Sequence, residues 1–259
     1  LAQDYLFHNS GWIYRPLWTY EVENRGSRLL FYFYSTNCEG FKGVNGYQSI
    51  NHGWQLSTWP ILLVWNIYQK QFVERSAPNC GTTKIVGPIS FSNSKSNLNL
   101  NNHNKLVAAI FDVQPVRPSL FQSLGAIYEY YNSKVAIKFL NDIDKVMNEL
   151  SINYFHKRKR DIGNNIHKKY KAVTQSFNSN YIPINPEVSA NIVIKKSNFV
   201  ISMPYTSTAI LAKVQNKPSI YYDPLGYVFK DDRAAHGIQI VIGIDELREW
   251  LKNTIYNLI

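Results

Sequence analysis

Apolar residues along the chain fall into short continuous runs separated by stretches with helical spacing. This is the pattern of buried strands in a parallel sheet joined through helices. In the first third, Arg28 to Tyr34 (RLLFYFY) and Ile61 to Trp65 (ILLVW) predict strands, the second followed by a helical stretch through Glu74, and Lys84 to Pro88 (KIVGP) predicts another. Strand, helix and strand ending in Gly-Pro read as a βαβ unit, although an irregular one. Ser90 to Asn104 (SFSNSKSNLNLNNHN) has neither period and is dominated by Ser and Asn, so residues 91–104 are expected to form a linker.

Beyond the linker, Leu106–Phe111, Ile152–Phe155, Phe199–Ser202, Ser219–Tyr222 and Ile238–Ile242 predict further strands. Between Lys134 and Leu150, Val135, Phe139, Ile143, Val146 and Leu150 recur at helical spacing. Ile192–Lys196 ends another predicted helix, Thr206–Gln215 forms one, and Asp245–Ile259 closes the chain with Asp245 as its N-cap. The expected fold is α/β with parallel sheets: a partial N-terminal domain over 1–90, the linker, and a doubly wound C-terminal domain over 105–259.

Composition narrows the class. With 45% hydrophobic and 14% aromatic residues against 18% charged, the chain of 259 residues has a packed core and is not disordered. Its longest apolar stretch near the middle, Pro60 to Trp65, falls well short of the roughly 20 residues of a membrane span. No secretory leader is visible at Leu1, and the start without Met suggests a trimmed chain lacking the opening strands of its first domain. Cys38 and Cys80 have no zinc-binding spacing and read as reduced thiols of a cytoplasmic protein. The formal charge of +10 favours anionic partners, whether nucleic acid, acidic lipid or phosphorylated substrate.

The chemistry-bearing residues gather where strands end, because ligands of doubly wound sheets collect at carboxyl ends of strands and at helix N-termini. Strand Phe199–Ser202 runs through Met203-Pro204-Tyr205 into Thr206-Ser207-Thr208, which places hydroxyls and amide donors around one point suited to an anion. The same hydroxyls also serve as caps. Tyr154 to Arg160 (YFHKRKR) follows a strand, so His156, Lys157 and Arg158 are candidate phosphate ligands, with a solvated basic turn or a nucleic-acid patch as alternatives. Asp223 suits a ribose hydroxyl or a turn. Asp112, with Gln114 and Arg117 beyond it, is the candidate catalytic residue facing the cleft, or else a buried turn-stabilising aspartate. Asp231, Asp232 and His236 share a short loop that lacks a full metal-ligand set, so no metal is expected. In the first third, Glu21, Glu23, Glu39 and His52 are available acids and bases without a catalytic spacing. No GxSxG, P-loop, GxGxxG or HExxH motif is present, which removes support for hydrolase, NTPase, dehydrogenase and zincin readings.

With those residues in view, the chain resembles the bacterial polysaccharide biosynthesis PFTS-motif proteins, which look like GT-B glycosyltransferases. The resemblance is carried by Phe31 to Asn37, Val64-Trp65 with Tyr68-Gln69, Val86-Gly87-Pro88, Phe111 to Arg117, Ile201 to Ala209, Ser219 to Pro224 and Asp231 to Ile238. Tyr205 stands where the name motif has Phe. The resemblance implies two Rossmann-like domains and a nucleotide-sugar donor bound mainly by the second, without an obligatory metal or other cofactor. His156, Lys157, Arg158, Thr206, Ser207 and Thr208 would bind the donor phosphate, and Asp223, Arg117 and His236 would line the ribose side of the cleft. A CMP-linked donor is suggested, and a uridine-linked hexose stays open. The acceptor would be a lipid-linked or growing surface polysaccharide, with the basic protein held at the anionic inner face of the inner membrane and no nucleic acid as partner. CDP-polyol phosphate transfer and non-catalytic nucleotide or RNA binding are the alternatives.

Overall fold

The computed structural model describes residues 2–8, 14–36, 38–49, 52–89, 106–118, 129–159, 161–177 and 179–258. The expected linker 91–104 lies outside the described residues, as do Asn37 and Arg160. The chain divides into two compact units, Leu1–Ser90 with Asp232–Gly237, and Phe91–Asp231 with Ile238–Ile259. Both are α/β, each built on a sheet of parallel strands as expected.

The first unit has a four-stranded sheet in the order β1 (Asp4–His8), β2 (Arg28–Tyr32), β3 (Ile61–Val64), β4 (Thr82–Ile85). Helices α1 (Trp18–Asn24), α2 (His52–Gln55) and α3 (Ile67–Ser76) lie between its strands in sequence. Phe31 and Leu62 are register partners, and with Phe33 and Val64 they form a core with Trp54, Trp59 and Phe72. Phe33 stacks on Trp54 with the rings 5.3 Å apart. Asn66 caps α3 by accepting the Gln69 amide at 3.0 Å. The sequence pattern missed β1, an edge strand of alternating partial exposure, and α1.

The second unit is a six-stranded sheet of β5 (Val107–Phe111), β6 (Asn153–Lys157), β7 (Tyr181–Ile184), β8 (Phe199–Ser202), β9 (Ser219–Asp223) and β10 (Gln239–Ile242), in the order β10-β9-β8-β5-β6-β7. The helices are α4 (Ser133–Glu149), α5 (Lys168–Ser176), α6 (Ala190–Lys196), α7 (Ser207–Val214) and α8 (Gly243–Leu258). Strand β5 is buried throughout, as a central parallel strand covered on both faces must be. Helix α4 forms because Asn132 caps it and because Val135, Phe139, Ile143 and Val146 give it one apolar face, all fully buried. Each such side chain contributes about 1.5–3 kcal/mol on burial. Helix α8 starts directly after β10, so Asp245 lies inside its first turn and is not the N-cap; the Glu246 carboxylate instead accepts the Ile242 amide at 3.0 Å. Strand β7 and helix α5 were also not predicted.

This order is that of a doubly wound dinucleotide-binding sheet. From β5 the chain proceeds outward through β6 and β7, then returns to the other side of β5 and proceeds through β8, β9 and β10. The direction therefore reverses between β5 and β8, which pair with Phe111 opposite Ser202.

Candidate functional site

At a reversal point the loops leaving the two central strands diverge, opening a crevice at their carboxyl ends. Here those loops begin at Asp112 and Met203. They are stitched together at their roots: the Met203 amide donates to the Phe111 carbonyl at 2.8 Å, and the Val113 amide to the Met203 sulfur at 3.1 Å.

Met203 to Thr206 form a tight turn, closed by the Thr206 amide on the Met203 carbonyl at 3.3 Å. Pro204 supplies the fixed φ of the first corner. Tyr205 occupies the second corner at φ 64°, where a type II turn ordinarily takes Gly. A left-handed conformation costs a bulky residue about 1–2 kcal/mol. Burial offsets it: Tyr205 is 5% exposed and its ring meets Tyr221 edge-on at 5.8 Å. Three carbonyls of the turn are engaged by hydroxyls of the protein. Met203 O accepts the Thr206 hydroxyl at 2.8 Å, Pro204 O accepts Tyr131 at 2.8 Å, and Thr206 O accepts Tyr221 at 2.8 Å.

The turn leads into α7 with Thr206 as N-cap residue, yet no side chain caps the helix. Thr206 spends its hydroxyl proton on Met203, and the Thr208 hydroxyl lies 2.9 Å from that of Ser202 and 3.2 Å from that of Thr206. Ser207, intermediate in exposure, is the one hydroxyl of the three outside this ladder. The result is a helix start with no side-chain cap on its first amides, beside the reversal point. That is an anion-accepting geometry.

Asp112 and His156 sit at the ends of β5 and β6 and are both buried. Asp112 Oδ2 accepts the Tyr170 hydroxyl, and Oδ1 lies 3.2 Å from His156 Nε2 without the alignment of a hydrogen bond. His156 Nδ1 is 3.0 Å from the Tyr181 hydroxyl. Burial and the neighbouring Asp112 raise the Tyr170 hydroxyl well above the usual phenol range and push Tyr181 up to about 12, so both remain donors. This network ties β5, β6, β7 and α5 together. Within it Asp112 and His156 hold the ends of β5 and β6 in place.

Lys157 is also turned inward, donating to the carbonyls of Arg158 at 2.8 Å and Pro186 at 3.1 Å, and burial lowers its pKa. Arg158 is partly exposed and near enough to the Tyr170 and Tyr181 hydroxyls for its charge to oppose their rise. Arg117 is exposed, and its amide donates to the Asn165 carbonyl at 2.8 Å. Asp223 is fully buried and accepts from Tyr130 (3.1 Å), Leu225 N (3.1 Å) and Val228 N (2.9 Å), which holds the turn after β9.

His236 belongs to the first unit. Asp232 fastens its segment by accepting the Lys42 amide at 2.9 Å and the Tyr47 hydroxyl at 3.1 Å, while the Arg233 guanidinium lies 3.6 Å over the Tyr47 ring. His236 Nδ1 is 3.1 Å from Asn66 Oδ1, an acceptor already used by Gln69, so the imidazole donates from Nδ1. Burial pushes the His236 pKa down to about 4. Of the other acids, Glu21 pairs with Arg25, Glu23 with Arg15, and Glu39 with Arg75 and Arg233. Both cysteines are free, and burial pushes the Cys38 thiol up to about 12. Among the described residues no group of three or more His, Cys, Asp or Glu is placed to hold a metal ion, and no helix is long and apolar enough to cross a membrane.

Sequence reasoning found the turn and the hydroxyls but not Tyr131, Tyr170, Tyr181 or Tyr221, whose roles depend on long-range contacts. Residues 1–251 match the family described as polysaccharide biosynthesis PFTS motif protein. No curated protein matches the chain.

Proposed function

The chain belongs to the polysaccharide biosynthesis PFTS motif family, and from that premise we propose that it is a glycosyltransferase using a nucleotide-sugar donor. In this reading the donor's phosphate is bound at the start of α7, and the acceptor is a growing or lipid-linked surface polysaccharide. The observation that carries it is the coincidence of the uncapped α7 with the reversal point between β5 and β8. The Pro204-Tyr205-Thr206-Ser207 segment, which stands where the family's name motif has Pro-Phe-Thr-Ser, forms the turn that aims this helix. Cleavage of the glycosyl–phosphate bond leaves negative charge on the departing nucleotide. Pre-oriented amides and a helix dipole stabilise that charge without reorganisation.

The test is calorimetry with CMP, UDP and their sugar conjugates. Ser207→Glu places a carboxylate at the helix start, where it favours the helix but repels a phosphate. We expect nucleotide binding by the native protein and at least about a tenfold loss in the variant, with the fold retained. Equal affinity in both would overturn the site.

A further inference from the structure

Helix α5 carries its charge at the end where the helix dipole opposes it. Lys168, Lys169 and Lys171 are exposed within its first turn, no acid accompanies them, and His167 gives no side-chain cap. In α6, by contrast, Lys195 and Lys196 stand in the last turn, where the dipole favours them. The α5 lysines are not neutralised locally either: no ion pair among the described residues includes them, Arg117 or Arg158.

The fold adds a further cation to this face. An antiparallel bridge between Val116 and Ile166, with the His167 amide donating to the Pro115 carbonyl at 3.0 Å, sets Arg117 beside the start of α5. Arg158, just after β6, is partly exposed, and its charge acts on Tyr170 from the side of α5 that faces the sheet. Tyr170 is fully buried, so the three lysines, each about 100° or more around the helix from it, project away from the sheet. Asp161 is the one acid in the connecting loop, and it accepts the Gly163 amide at 2.8 Å.

We propose that Arg117, Lys168, Lys169 and Lys171 form a face that docks the protein on an anionic lipid bilayer. Lipid is favoured over nucleic acid because the only aromatic residue of α5, Tyr170, is buried and hydrogen-bonded, which leaves the helix no platform for stacking bases. A convex helical face with unpaired ammonium groups suits a planar charged surface, and each lysine near such a surface strengthens attachment severalfold.

The experiment is vesicle co-sedimentation of the full chain with phosphatidylcholine alone and with phosphatidylglycerol added. The protein should pellet with the anionic vesicles only, and less so as salt rises. Lys168→Gln/Lys169→Gln/Lys171→Gln should lower partitioning about tenfold or more, whereas Lys195→Gln/Lys196→Gln should leave most of it. Binding of the triple variant equal to the native protein would overturn the proposal. So would a short RNA that displaces the protein from vesicles and loses its own binding in the triple variant. Calorimetry with CMP and UDP on the same variants separates this face from the nucleotide site, since their affinity should not change.

Discussion

The Tyr221 hydroxyl donates to the Thr206 carbonyl at 2.8 Å, so strand β9 reaches across its neighbour to hold the residue that opens helix α7. The same Tyr221 ring supports Tyr205 in its left-handed conformation. One side chain therefore fixes both the strained corner and the helix start of the candidate phosphate site.

Tyr221→Phe keeps the ring contact and removes the hydroxyl, leaving a carbonyl without its partner. The expected loss is about 1–2 kcal/mol in urea unfolding followed by far-UV circular dichroism. A several-fold weaker nucleotide affinity should accompany it, because the helix start is less well fixed.

At position 205 the usual order of small residues should reverse. Both Tyr205→Gly and Tyr205→Ala lose the buried ring, but Gly accepts φ 64° and Ala does not. We expect the Gly variant to be the more stable by about 1 kcal/mol. An Ala variant as stable as Gly would contradict the strained-corner assignment.

Asp112→Asn separates a positioning role from a catalytic one. Asp112 is 4% exposed and engaged with Tyr170 and His156, so its replacement should cost about 1–3 kcal/mol of stability. Nucleotide affinity should stay within about twofold. A stable variant that binds donor normally but has lost turnover would restore Asp112 to the chemistry.

His236 gives the first unit a pH signature. Its folded pKa of about 4 lies below the ordinary 6.5, so on acidification the unfolded chain takes up the proton first. Stability is full above about pH 6.5 and falls towards pH 4, by up to about 3 kcal/mol. His236→Asn can keep both the donor to Asn66 and the left-handed backbone, and should flatten the slope in that window. Tryptophan fluorescence reads this unit selectively, because every tryptophan except Trp250 lies within residues 1–90.

The central strands of the second unit were legible because burial on both faces writes them as continuous apolar runs: β5, β8 and β9 appear in the sequence nearly as they stand. Strand β7 was hidden by Pro183, which an edge strand tolerates. Helix α5 was masked by lysines that read as part of a basic run. The Pro204–Ser207 turn was legible from local chemistry alone. What sequence could not show is direction: Lys157, His156 and Asp112 do follow or end strands, but only the packed structure turns them inward. Nor does any local pattern announce that Asp232–Gly237 joins the first unit, since its partners Lys42, Tyr47 and Asn66 are remote in the chain.

The central claim is tested most directly by nitrogen–proton correlation NMR during titration with CMP or UDP. A phosphate at the start of α7 should shift the Ser207, Thr208 and Ala209 amides saturably, with the same dissociation constant as calorimetry. Saturable shifts elsewhere, with those three amides unmoved, would contradict it.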